Sequence, residues 1–369
     1  MSESNDQIIK LTHALEKLRS KEAAIYFLTM DTKGHAKASV ALTYDIVKEL
    51  RNIGYNAMIM HEKNDFHDVS SWLGNDYKDI PHASIESKQV EVIVSDLVII
   101  PEVFGHVLEQ TQNMPCEKII FSQAYDYILE TLPPGNTWRN YGVGTCITTS
   151  PTQTEYLKTI MGNLEYLELT PGIGELFEKY EAPQPPIISI HTREPRDTMK
   201  IIKTFYIKYP QFKWLTFRDL RNLAKKKFAE DLKESFVSVW VDDISGFGTF
   251  PLESMKSGVP VIGKVPNLKP EWMTEDNGIW SHEFHPIVDI LGNYVQKWLE
   301  DELPQELYTE MGKTVTKYSE DTFKNSIAKV FGSINERKIT DVRRNLEKLT
   351  PVGPEDETLE GSVNELYNN

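Results

Sequence analysis

A chain of 369 residues with 40% hydrophobic, 10% aromatic and 26% charged side chains can bury two cores of ordinary domain size, which excludes a single small module, a fibrous repeat and wholesale disorder. Its 55 acidic against 40 basic residues leave a net charge of −15, so nucleic acid and anionic membrane are disfavoured partners and an anionic ligand needs a dedicated pocket. Cys116 and Cys146 make neither a metal-ligand spacing nor a disulfide framework, which suits a reducing compartment. The polar, acidic start from Met1 to Lys10 lacks the runs of a signal peptide, and no stretch reaches the length of a membrane span, so a soluble, cytoplasmic protein without a transmembrane segment is expected.

Along the chain, Ile8, Leu11, Leu15 and Leu18 recur at helical spacing, with Ser4, Asn5 and Asp6 as N-cap candidates, which predicts an amphipathic helix within residues 1–21. It docks on the domain that follows or, as the alternative, pairs with a second subunit in a homodimer. A buried-strand pattern from Ala24 to Met30, a polar loop over Asp31 to His35 and a helix to about Ile53 closed by Gly54 come next, and Asn56 to Met60 reads as a second strand. Strand-like runs continue at Val90 to Val94, Leu97 to Ile100, Lys118 to Phe121 and Thr145 to Thr149, with helical segments between them. Such alternation means a parallel sheet covered on both faces.

Three prolines within Pro183 to Pro186 break the pattern, and we place a hinge at residues 180–186 between a first domain, 22–179, and a second, 187–335. Beyond it the alternation restarts with a strand at Ile187 to Ile190, a helix over Asp197 to Tyr209, a strand at Lys213 to Phe217, a basic helix over Arg218 to Lys227 and a strand at Phe236 to Val241. The fold class is therefore α/β, as two doubly wound Rossmann-like domains facing a cleft. A C-terminal helix over 336–350 and an acidic, disordered tail over 351–369 complete the organisation.

The stretch Val241 to Ile262 carries the most chemistry. A strand ends at Val241, a loop with Gly246 and Gly248 turns, Pro251 stands where a helix would start and Glu253 lies in its first turn. Free amides feeding a helix N-terminus at the carboxyl end of a parallel strand suit a pyrophosphate, and Glu253 can accept hydrogen bonds from ribose hydroxyls. On the two glycines alone, a plain tight turn explains the loop equally well.

The longer stretch resembles the C-terminal signature of glycosyltransferase family 4 and related retaining enzymes of the GT-B fold. In that family a Glu-Gly-Phe-Gly loop precedes a Pro, a second Glu eight positions after the first, Gly-x-Pro-Val-Ile and then Asn-Gly. Here Gly246, Phe247, Gly248, Pro251, Glu253, Gly258, Pro260, Val261, Ile262, Asn277 and Gly278 stand in that order and spacing. Gly172, Ile173 and Phe177 resemble the turn that leaves the family's first domain, and Ile187 to Phe205 resembles the first strand of its second domain with the loop that follows. Arg196 takes the position of that loop's lysine, and the family's arginine falls at His191 or, with a rearranged loop, at Arg193.

The resemblance implies a nucleoside diphosphate sugar donor in the second domain, held by Glu253, Ser245, Gly246, Phe247, Gly248, Thr249 and His191, with Arg193 and Arg196 stabilising charge on the departing diphosphate. No Asp-x-Asp occurs anywhere, so no metal is expected, and no cofactor beyond the donor co-substrate. The first glutamate of the family's pair is replaced by Ser245, with Asp242 and Asp243 just upstream, which bears on the donor sugar and on activity itself. Acceptor contacts are expected across the cleft at Gly34, His35, Glu102, Gln123 and Tyr125, all at carboxyl ends of parallel strands. A retaining, metal-independent hexosyl- or pentosyltransferase is the expected activity, on a saccharide, lipid-linked sugar, protein or modified nucleobase. The alternatives are a non-catalytic binding or scaffold subunit with a decayed donor site, and a nucleotide-sugar epimerase.

Overall fold

The computed structural model describes residues 2–87, 90–180 and 184–349. The expected hinge lies partly, and the expected tail over 351–369 wholly, outside the described residues. Among the described residues no helix is long and apolar enough to cross a membrane.

Seven strands, β1 (Ala24–Leu28), β2 (Asn56–His61), β3 (His82–Ser84), β4 (Leu97–Pro101), β5 (Glu117–Ser122), β6 (Thr145–Thr148) and β7 (Glu165–Glu168), form one sheet in the order β3-β2-β1-β4-β5-β6-β7. Five more, β8 (Ile187–Thr192), β9 (Thr216–Asp219), β10 (Val237–Val241), β11 (Val261–Lys264) and β12 (Ile279–Ser281), form a second sheet in the order β12-β11-β10-β8-β9. Every strand pair in both sheets is parallel. Central strands such as β1, β4 and β10 are buried at every residue, which is why they read as almost wholly apolar runs.

The first sheet is flanked by α1 (Ser2–Arg19), α2 (Ala38–Asn52), α3 (Ser70–Leu73), α4 (Gly105–Gln110), α5 (Tyr127–Thr131) and α6 (Pro151–Met161), and the second by α7 (Pro195–Lys208), α8 (Lys225–Lys233), α9 (Thr249–Lys256), α10 (Ile287–Leu299) and α11 (Gln305–Thr316). Each sheet thus has an apolar core on each face. The strand order reverses between β1 and β4 in one sheet and between β8 and β10 in the other, and at such switch points the loops at the carboxyl ends part to leave a crevice.

The last helix, α12 (Glu320–Leu349), returns to the first domain. Its Phe323, Ile327, Val330, Phe331 and Ile334 are buried in the same core as Phe27 of β1 and Leu50 of α2, and the Phe27 and Phe331 rings lie 5.8 Å apart. Helix α1 docks on its far end, where Leu15, Leu18 and Val342 are buried together. The second domain therefore does not run to residue 335, and the helix expected over 336–350 is the second half of a single 30-residue helix that begins at Glu320. Its apolar spacing is visible in the sequence, but nothing local says which domain it covers.

Several expected boundaries shift. Val90 to Val94 is irregular, with Val90 and Val92 packed sideways on the core; the edge position goes to the short β3, which was not anticipated. The strand expected at Lys213 to Phe217 begins only at Thr216, after a 3-10 turn at Pro210–Phe212. The basic helix expected over Arg218 to Lys227 starts at Lys225, because Asn222 adopts a left-handed conformation (φ 58°) that a helix cannot continue through. Helix α1 starts at Ser2, ahead of its three expected N-caps.

Candidate functional site

The carboxyl ends of both sheets face a cleft of about 820 Å3, inside the range of ligand pockets. Hydrogen bonds and an ion pair join the domains across it. The Gly246 amide donates to the Gln123 carbonyl (3.2 Å), Ser150 Oγ donates to the Gly246 carbonyl (3.0 Å), Tyr125 Oη donates to the Asp243 carbonyl (3.4 Å) and Arg193 Nη1 donates to Tyr127 Oη (3.2 Å). On the opposite side Lys225 Nζ stands 3.2 Å from Asp45 Oδ2 of α2 and 3.4 Å from Tyr77 Oη.

The loop after β10 sets the second-domain wall. Gly248 caps α9 with φ 73°, and its Cα approaches the Trp240 ring so closely that a Cβ would sit 2.9 Å from it. Helix α9 begins at Thr249, so Pro251 is its third residue instead of its first, and Glu253 is its fifth instead of its third. The Phe247 carbonyl accepts from Trp272 Nε1 (2.8 Å), which fixes the loop from behind. The amides of Phe247 and Gly248 donate to no described residue, and both residues line the cleft. With the N-terminus of α9 they form a patch of uncommitted donors suited to an anion.

Gly246 is different. A Cβ there would stand 2.6 Å from the Gln123 carbonyl oxygen and 2.9 Å from Gln153 Cδ, and Gly246 is absent from the cavity lining. Its amide is spent on the other domain, so the expected ligand contact is in the structure a domain-to-domain contact that only glycine can make.

Glu253 lines the cleft with its carboxyl bonded by the Thr249 hydroxyl; burial pushes that carboxyl up to about 7, opposed by the Lys225 ammonium. His191, at the end of β8, stacks on Phe250 (4.9 Å, 19°) and has a buried Nδ1 with no partner among the described residues. Burial holds its imidazole down at about 4, hence neutral. Arg193 makes a bidentate pair with Asp242, Nε to Oδ1 at 2.7 Å and Nη2 to Oδ2 at 3.0 Å, and Asp242 Oδ1 also accepts the Ile244 and Ser245 amides at 3.1 Å each. Asp243 pairs with Lys264. Both aspartates upstream of Ser245 are thus engaged, and Ser245 alone of the three lines the cleft without a charged partner.

Arg196 is exposed on the second position of α7, has no partner among the described residues and stands outside the cavity lining, because the chain turns at Pro195 and carries it to the outer surface. Arg221 and Lys225, not anticipated as site residues, line the cavity in its place, along with Tyr127 and Asp242. The run Lys225 to Lys227 was the available signal for Lys225, but a lysine run reads as a solvated face until a facing wall is known.

On the first-domain wall, Glu102 follows β4 and is buried, with Oε1 accepting the Gln123 (3.1 Å) and Ala124 (2.6 Å) amides. Burial outweighs those two bonds and pushes its carboxyl up to about 7. Gln123 lines the cleft and donates through Nε2 to the Ser39 carbonyl (3.2 Å). Tyr125 is buried against Tyr156 and serves as an interdomain strut outside the lining, while Tyr127 takes the cavity position. Gly34 (φ 80°) and His35 are exposed in the loop before α2; Ala36 and Lys37, which follow them, line the cavity, and they do not.

No protein-family model matches the chain, and no curated protein matches its sequence. Solved structures do match its fold. Sucrose-phosphate synthase from Thermosynechococcus elongatus is similar over 85% of this chain and 100% of its own, with 12% identity and a TM-score of 0.62. HepE of Anabaena, solved in complex with UDP and glucose, is similar over 84% of this chain and 100% of its own, at 11% identity and a TM-score of 0.62. The pneumococcal O-GlcNAc transferase GtfA, solved with UDP and GlcNAc, is similar over 89% of this chain and 99% of its own, at 10% identity and a TM-score of 0.59. The class these likenesses define is the fold: two Rossmann-like α/β domains facing one cleft, the GT-B arrangement.

Proposed function

We propose that this chain is a GT-B glycosyltransferase that moves a sugar from a nucleoside diphosphate carrier to an acceptor hydroxyl. The observation that carries the reading is the second-domain wall: Glu253, Arg193, Arg221, Lys225 and the uncommitted amides of Phe247 and Gly248 line one cavity at a topological switch point. Several proteins of the same fold were solved with UDP, HepE and GtfA among them, which makes a uridine diphosphate sugar the first donor to try.

In this reading Glu253 accepts the ribose hydroxyls, and Arg193, Arg221, Lys225 and the start of α9 hold the diphosphate. When the bond from the anomeric carbon to the diphosphate oxygen breaks, negative charge grows on that oxygen, and preorganised donors in the cleft stabilise it. Asp242 keeps Arg193 in place, so the guanidinium enters the reaction already oriented. The neutral His191 faces the same cavity and can donate to a sugar hydroxyl or phosphate oxygen without adding charge. We read the transfer as retaining and metal-independent, with the diphosphate oxygen taking the acceptor proton on the same face.

The second reading is a non-catalytic binding subunit of the same fold. It draws on Ser245 and on the engagement of Asp242 by Arg193 and of Asp243 by Lys264, which leave no free carboxylate at the position where related enzymes place one. Calorimetry with UDP and with UDP-sugars, followed by mass spectrometry of the donor after incubation, separates the two. Binding with turnover supports the enzyme, and absence of turnover, with or without binding, supports the subunit.

A further inference from the structure

Among the described residues, Lys225 is the one cation lining the cavity whose carboxylate partner belongs to the other domain. Its Nζ, at the start of α8, stands 3.2 and 3.5 Å from the carboxylate oxygens of Asp45 in the middle of α2, and 3.4 Å from Tyr77 Oη. The Tyr77 hydroxyl itself donates to Asp45 Oδ1, so the three groups form a closed set. Neither Asp45 nor Tyr77 lines the cavity. The ammonium is thus drawn toward the first domain, and Asp45 fills, by charge and by bonding, the place that a phosphate oxygen would take at Lys225. The same carboxylate acts on Glu253. Burial pushes the Glu253 carboxyl up to about 7; the Lys225 ammonium opposes this, the Asp45 carboxylate adds to it, and the bond to the Thr249 hydroxyl opposes it.

We propose that Asp45 is a built-in competitor for the anionic donor: it holds Lys225 toward the first domain, and a diphosphate entering the cleft takes Lys225 from it. This rests on the cleft being the nucleotide-sugar site. The Lys225 and Asp45 side chains are 28% and 26% exposed, so water screens the pair and it holds weakly. Hydrogen bonds from a cation to phosphate oxygens are among the strong ones, so the diphosphate prevails, and the broken pair lowers the net affinity. Because the pair joins α2 to α8, donor binding also releases one contact between the domains, which couples occupancy of the cleft to the freedom of its walls.

The test measures binding of UDP and of inorganic pyrophosphate to the full chain by calorimetry, on either side of neutral pH, for the parent, Asp45→Asn, Asp45→Ala and Lys225→Met. Asp45→Asn keeps the side-chain shape, and Ala is the best helix former, so α2 retains its fold. Both Asp45 variants are expected to bind UDP roughly two- to fivefold tighter, the worth of a partly exposed ion pair. The pH at which affinity rises should move downward, because Glu253 loses a neighbouring anion, and Lys225→Met should bind more weakly. A purely structural Asp45 would change the melting temperature and leave that pH profile in place. Anion affinity that is unchanged or weaker in the Asp45 variants, or unchanged in Lys225→Met, overturns the proposal, and UDP binding by the parent then still leaves the donor site standing. If pyrophosphate binds and tightens in the Asp45 variants while UDP binds no better than pyrophosphate, the competition stands and the nucleotide-sugar reading falls. If neither anion binds, both fall.

Discussion

The backbone amide of Gly246, in the loop after β10, donates to the carbonyl of Gln123 after β5, a bond of 3.2 Å between two domains that share no strand. It fixes how the two carboxyl-end faces meet, and it does so at a residue that the motif alone would assign to a phosphate. Gly246→Ala brings a Cβ to 2.6 Å from the Gln123 oxygen, backbone against backbone, with buried Gln153 behind it. The expected outcome is a loss of about 1–3 kcal/mol in urea denaturation, the usual cost of overpacking. A wider cleft in solution scattering should accompany it, and an unchanged midpoint and scattering curve would refute the role of Gly246 as a domain contact.

Glu253→Gln tests the nucleotide. If the carboxylate holds ribose hydroxyls, its loss weakens UDP binding by roughly 1.5–3 kcal/mol, the range for hydrogen bonds to a charged group. Because its carboxyl stands at about 7 in the free protein, UDP affinity is expected to rise as pH climbs through that value and the group ionises, and the variant should lose this dependence. Titrations on either side of neutral pH, for both proteins, provide the check.

Glu102 makes a prediction about stability. Burial raises its carboxyl from an ordinary 4.5 to about 7, so between those values the unfolded chain has released a proton that the folded chain still holds. The contribution to stability is then full below about pH 4.5 and is lost progressively as pH rises to about 7, at no more than roughly 1.4 kcal/mol per pH unit. Glu102→Gln should flatten the fall of unfolding free energy with pH over that window. Parallel slopes for the variant and the parent protein would contradict the assignment.

Arg193 combines a bidentate pair to Asp242 with a bond to Tyr127 of the other domain. If Arg193 holds the diphosphate, Arg193→Met removes those donors and leaves Asp242 without its partner. Turnover of a UDP-sugar is expected to drop about 10²–10³-fold, as for removal of one preorganised donor. Steady-state kinetics on a folded variant, verified by circular dichroism, would show it.

Helix α12 belongs to the first domain's core. Phe331, buried against Phe27, is expected to cost about 3–5 kcal/mol on replacement by Ala, as for other buried aromatics. Urea unfolding followed separately in the two domains should show the first domain melting early; equal shifts in both would speak against the assignment of α12.

What the residues alone decide is the alternation. Short, mostly apolar, β-branched and aromatic runs such as Ala24 to Leu28 and Val237 to Val241 fit doubly buried strands, and the helical segments between them make both sheets parallel with crevices at their carboxyl ends. Ser245 to Glu253 likewise mark the turn from β10 into α9, since a strand end, a glycine turn and a helix start are local properties. Short edge strands escape such reading: β3 has three residues and is defined by its partner β2, while Val90 to Val94 has strand-like spacing and pairs with no strand among the described residues.

The tertiary structure decides everything that depends on the facing surface. Arg193 and Arg196 lie three residues apart and are equally cationic in sequence, yet the turn at Pro195 directs one into the cleft and the other to solvent. Tyr125 and Tyr127 divide in the same way between strut and cavity lining. Gly246 and Gly248 look alike until Gln123 and Trp240 are seen against them. Pairing a charge, filling a left-handed φ or lining a wall is a relation between segments far apart in the chain, so its energy is fixed only when the two domains meet.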